Sequence, residues 1–158
     1  ASDVYKRQGM IYVYASLLVL LLVPAVTLTR AELRALARAL VAALFTAAAV
    51  YLLVPAELGF VRPDHVPGYN AVFQALYSLE MPHHLVPSRH VAASILLIVA
   101  LWRALPRIWI RAGLVLWGLL LCASVLLVHQ HHLLDMATGL LLGYLCYRLV
   151  YWRAAVHR

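Results

Sequence analysis

The chain has 158 residues, of which 65% are hydrophobic and 12% charged, with a mean hydropathy of +0.88. Soluble domains run nearer half apolar and a quarter charged, so these values exclude an ordinary soluble domain and imply an all-α polytopic membrane bundle. The formal charge of +7 does not point to nucleic acid, because the basic residues are arginines scattered at the ends of apolar runs, as in cytoplasmic loops.

Residues 1–8 are polar and stop abruptly at Gly9-Met10, reading neither as a signal peptide nor as a helix start. The string Ser2-Asp3-Val4-Tyr5-Lys6-Arg7-Gln8 resembles translated sequencing-adapter sequence. We set it aside as a non-native leader and treat 9–158 as a single membrane domain.

About twenty apolar residues cross a bilayer as a helix. The first predicted span covers about residues 10–28, with Pro24 as a kink, and the second about residues 37–54. The connection 29–38 carries Arg30, Arg34 and Arg38. The stretch 55–89 holds Pro55, Pro63, Pro67, Pro82 and Pro87 and cannot be one helix. Within it, 69–79 puts Val72, Phe73, Leu76 and Leu79 on one face, which predicts a short interfacial helix. A third span follows at 88–104, ended by Arg103, Arg107 and Arg111, with Arg111 snorkelling. The fourth covers 108–128, and a His-rich turn leads to the fifth at 133–152. Gly139 and Gly143 in the fifth have the spacing that lets helices pack closely. Cys122 and Cys146 lie inside apolar runs without a CxxC and read as small hydrophobes. Tyr12, Tyr14, Tyr51, Tyr147, Tyr151 and Trp152 fall near span ends and read as an interfacial belt.

Threading five spans alternately places 29–38, 103–111 and the C-terminus on one side, with nine arginines. The opposite side holds only Arg62 and Arg89, along with Glu57, Asp64, Glu80, Asp135 and every histidine except His157. The positive-inside rule makes the arginine-rich side cytoplasmic. Lys6 and Arg7 would then lie outside; a foreign leader, or an absent first helix in a six-helix parent, removes that conflict.

Two short strings on the external face carry chemistry. Pro87-Ser88-Arg89-His90 has the form of a helix start, with Ser88 as cap. Helix N-termini attract phosphate, Arg89 offers a donor fork, and His90 exchanges protons near neutral pH. The second string is His131-His132-Leu133-Leu134-Asp135. On a helix His131 and Asp135 share a face. A carboxylate on one imidazole nitrogen fixes the tautomer and leaves the other nucleophilic. His83, His84, His129 and His132 lie near the same lip and read as interfacial, and His65 and His157 as surface residues.

Pro87-Ser88-Arg89-His90 resembles the second signature of the phosphatidic acid phosphatase type 2 superfamily, usually Pro-Ser-Gly-His. Ser124, His131 and Asp135 have the spacing of its third signature, Ser-Arg, five residues, His, three residues, Asp. Arg62-Pro63 resembles a remnant of the first. Arg89 replaces the glycine, Val125 the third-signature arginine, and Pro55 the lysine expected seven residues before Arg62. These departures, with the run from His131 to Gly139, resemble the branch of inositol phosphorylceramide and sphingomyelin synthases.

The resemblance implies a lipid phosphatase or phosphotransferase with a phosphohistidine on His131, oriented by Asp135. His90 then protonates the leaving oxygen, and Arg62, Ser88 and Arg89 hold the phosphoryl oxygens. It implies no metal or cofactor, a phospholipid or other lipid phosphate as substrate, and a bacterial inner membrane with the site facing outward. The residues alone leave two alternatives open. One is a metal enzyme using His129, His131, His132 and Asp135 with His83 and His84, although His-Glu-x-x-His is absent. The other is a transporter or non-catalytic membrane protein with a degenerate site.

Overall fold

The computed structural model describes residues 9–53, 71, 74, 86–127 and 133–156. These residues form helices and connections, with no strand among them. The helices are α1 (Met10–Leu20), α2 (Val23–Thr27), α3 (Arg30–Leu53), α4 (Arg89–Ala104), α5 (Ile108–Leu127) and α6 (Leu133–Cys146). A π turn (Tyr147–Tyr151) leads from α6 into α7 (Trp152–Val156). Of the expected interfacial helix only Ala71 and Gln74 are described, and both are helical.

Among the described residues, three helices are long and apolar enough to cross a membrane: Arg30–Leu53, Ile108–Leu127 and the continuous Leu133–Ala155. The shortest of them has 20 residues, which rises about 30 Å, the thickness of a hydrocarbon core. Met10–Leu20 is a shorter apolar helix.

The break between α1 and α2 follows from Pro24. Proline has no N–H to donate to the carbonyl four residues back, here Leu20. The chain tightens there instead: Leu22 N–H donates to Val19 O and Ala25 N–H to Leu22 O, both at 3.1 Å. The kink expected at Pro24 is therefore expressed one turn earlier.

α3 begins at Arg30, earlier than its apolar run suggests. The cause is a capping box. Thr29 N–H and Oγ1 donate to Glu32 Oε2 at 3.0 and 2.8 Å, and Glu32 N–H donates to Thr29 Oγ1 at 3.3 Å. Arg30, Arg34 and Arg38 thus decorate the first turns of a helix instead of a loop. The buried face of α3 is Ala35, Leu36, Ala39, Ala43, Ala47 and Tyr51. Small residues four apart let backbones approach where lipid removes the hydrophobic drive for helix association. This face meets α4 and the π turn.

α4 is the hub, packed against α2, α3, α5 and α6. Its contact with α6 depends on two glycines. A Cβ at Gly139 would fall 2.6 Å from the Ser88 carbonyl oxygen, and one at Gly143 would fall 2.9 Å from that of Ala92. Nothing larger than hydrogen fits at either position while the two backbones stay at this distance.

One end of the bundle gathers arginine and tryptophan. The Arg103 guanidinium lies 5.2 Å from the Trp152 ring centre, and that of Arg111 lies 5.4 Å from Trp102. Arg111 Nε also donates to Leu105 O at 2.8 Å, satisfying a carbonyl at the end of α4. Arg111 therefore folds back on its own turn.

Candidate active site at the paired helix starts

At the opposite end, the N-termini of α4 and α6 lie side by side. Ser88 caps α4: its extended backbone precedes the first helical residue, and Oγ accepts a long hydrogen bond from Val91 N–H at 3.5 Å. Ser88 N–H reaches across and donates to the Asp135 carbonyl oxygen at 3.0 Å. Both residues are buried, Ser88 at 0% and Asp135 at 2% exposure. The two motif strings, far apart in sequence, therefore meet in the fold. Two helix starts pointing the same way add their positive dipole ends at one place, which favours an anion there.

Tyr51, near the end of α3, buttresses this junction. Its hydroxyl donates to the Pro87 carbonyl oxygen at 2.6 Å. Its ring lies 5.8 Å from the half-buried Arg89 guanidinium. One side chain thus holds the backbone just before the cap and steadies the arginine just after it.

His90 sits in the first turn of α4. Its Nδ1 lies 2.9 Å from the Tyr14 hydroxyl of α1. The two rings pack with centroids 4.1 Å apart at an interplanar angle of 31°. Ser94 Oγ donates to the His90 carbonyl at 2.7 Å, one turn on. Tyr14 is buried at 2% exposure.

Of the expected site residues, the structure brings together Ser88, Asp135, Arg89 and His90. His131 and Arg62 lie outside the described residues, as do His83, His84, His129 and His132 and with them the alternative metal cluster. Ser124 is fully buried, its hydroxyl donating to Leu121 O at 2.7 Å, and Val125 beside it is also at 0% exposure.

Two neighbours of the site, Tyr14 and Tyr51, are corrections to the aromatic-belt reading. Both are buried and hydrogen-bonded to residues of the first motif or beside it. Tyr151 is buried as well, at 1%, whereas Tyr12, at 59% exposure, fits a lipid-facing belt. An aromatic near a span end satisfies either role, and only its angular position around the helix decides.

The apolar bundle thus carries two paired helix starts at one end. The model of the PAP2 superfamily matches residues 35–157. The chain belongs to that superfamily, whose members are generally phosphatases or phosphotransferases. No curated protein and no solved structure matches it significantly. The match takes in both motifs and Arg62 and begins after α1 and α2.

Proposed function

We propose that the protein is an integral-membrane lipid phosphatase or headgroup phosphotransferase working through a phosphohistidine. His131 attacks phosphorus, a P–N bond forms, and the P–O bond to the lipid alcohol breaks. His90 gives its proton to the departing oxygen. Where the substrate is a lipid phosphate, water then attacks the phosphohistidine and releases phosphate. Where it is a phosphodiester whose headgroup stays on phosphorus, a second alcohol attacks and releases a new phosphodiester. Either nucleophile passes its proton to His90. Asp135 orients His131. Arg62, Arg89 and Ser88 hold the phosphoryl oxygens, whose charge arginine suits well.

The observation that carries the reading is the Ser88–Asp135 hydrogen bond, which sets the helix start bearing His90 against the one bearing the orienting carboxylate. The departures at Arg89 and Val125 favour the synthase-like branch, in which the acceptor is an alcohol. The arginine asymmetry favours a site on the outer face, which in a bacterial inner membrane is the periplasmic one.

The test is lipid analysis of membranes holding the protein or its His131→Ala variant, with acid quenching to trap phosphoenzyme. The parent is expected to form an acid-labile phosphoenzyme and convert lipid phosphate; the variant is expected to do neither. Turnover by the variant at the parental rate would remove His131 from the mechanism.

A further inference from the structure

We infer that Tyr14 is a positioning residue that fixes the His90 imidazole and its tautomer, so that an element outside the family match completes the site. The inference rests on the reading of His90 as the acid–base group.

Tyr14 contacts His90 in two ways. Its hydroxyl is 2.9 Å from Nδ1, and its ring covers the imidazole at 4.1 Å between centroids. The stacking stops the imidazole from tilting, and the hydrogen bond stops it from flipping about its long axis. The backbone beneath is held too, since the His90 carbonyl accepts from Ser94 Oγ at 2.7 Å. Tyr14 belongs to α1, so it places a separate helix under this group.

The consequence for protons is specific. With Nδ1 engaged by the phenol, exchange with a substrate oxygen goes through Nε2. A tyrosine hydroxyl both donates and accepts, and here its accepting role matters. As imidazolium, His90 donates Nδ1–H to Tyr14 Oη and carries a second proton on Nε2. Nε2 gives that proton to the leaving oxygen while the Nδ1–H bond stays made. Neutral His90 then presents a bare Nε2, the form needed to take the proton from attacking water or alcohol. With Tyr14 Oη as acceptor of this bond, neutral His90 is held as the Nδ1–H tautomer and Nδ1 stays out of the proton traffic.

The substitution Tyr14→Phe keeps the stack and removes the hydroxyl. Two measurements on the full chain in lipid nanodiscs read it out. The first is 15N spectroscopy of histidine-labelled protein, with the His90 signals assigned through His90→Gln. The parent is expected in the Nδ1–H tautomer and the variant with Nε2–H enriched. The second compares an alkyl phosphate ester with an aryl ester whose leaving group needs no proton. A positioned general acid contributes about 10²–10⁴-fold, and imperfect positioning forfeits part of that. Tyr14→Phe should lower kcat on the alkyl ester by roughly tenfold, with KM little changed and the aryl ester spared. It should add nothing in a His90→Gln background.

An unchanged tautomer with unchanged alkyl-ester kcat would overturn the inference, as would equal losses on both esters. Failure of the underlying reaction would look different. The parent itself would then form no phosphoenzyme, which withdraws the catalytic part, while the nitrogen spectrum still decides whether Tyr14 fixes the imidazole.

Discussion

Ser88 and Asp135 are joined main chain to main chain, N–H to carbonyl at 3.0 Å. No substitution at either residue other than Ser88→Pro, which removes the N–H, deletes this bond directly. Its length is governed by how closely α4 and α6 approach, and Gly139, one turn beyond Asp135, sits against the Ser88 carbonyl.

Gly139→Ala is therefore expected to impair the site. The added methyl meets backbone, which cannot swing aside, so the helices must part. Overpacking of this kind costs about 1–3 kcal/mol. Gly143→Ala meets the Ala92 backbone at a similar distance but one turn further from the helix starts. Thermal unfolding should show comparable losses for the two, whereas turnover should fall more for Gly139→Ala. Equal turnover in both variants would show that the helix starts are not held by this contact.

Tyr51 offers a separation of two effects. Tyr51→Phe removes the hydrogen bond to Pro87 and keeps the ring near Arg89. It should lower stability by about 0.5–1.5 kcal/mol with little change in KM. Tyr51→Leu also removes the ring and should raise KM for a lipid phosphate, because Arg89 loses its support. Matching KM values for the two variants would mean that the ring does not steady Arg89.

Asp135→Asn preserves shape and removes the charge that, in the proposed reaction, orients His131. In the Ser-His-Asp triad of serine proteases, where an aspartate likewise orients a histidine, the equivalent change costs about 10⁴-fold in kcat. A loss of about 10³-fold or more in the rate of phosphoenzyme formation is expected here, measured by rapid acid quench. A variant forming phosphoenzyme at the parental rate would take Asp135 out of the orienting role.

Thr29→Ala serves as the contrasting substitution. It breaks the capping box at the start of α3, about 33 Å by helix rise from Tyr51. The expected cost is about 1 kcal/mol of stability, read by thermal unfolding, with kcat unchanged. A fall in kcat would mean that the two ends of α3 communicate.

Much of this arrangement is legible in the sequence where a local rule applies. Ser88 announces a helix start because proline, a capping hydroxyl and an apolar run follow in order. Pro24 announces a break because it lacks an N–H. Gly139 and Gly143 announce a close crossing by their spacing. The start of α3 is equally written in Thr29 and Glu32, but the arginines between and after them read as a loop. Tyr14 and Tyr51 follow no local rule. α1 is apolar around its whole circumference, so its sequence holds no polar face to show which side meets the bundle. Their roles arise from the packing of distant helices. The alanine face of α3 is hidden for the same reason, since alanine is common on every side of that helix.

Val125 stands where the superfamily's third signature carries arginine, and it lies in the interior with no solvent exposure. The position is not an empty socket awaiting its missing cation. It is filled by a valine packed into the hydrophobic core. Writing the arginine back would force a long charged chain into an apolar slot, where an unpaired charge is heavily penalised. Val125→Arg would then unsettle the bundle before it could help a phosphate. In the proposed reaction the positive charge for the substrate comes instead from Arg62 and Arg89.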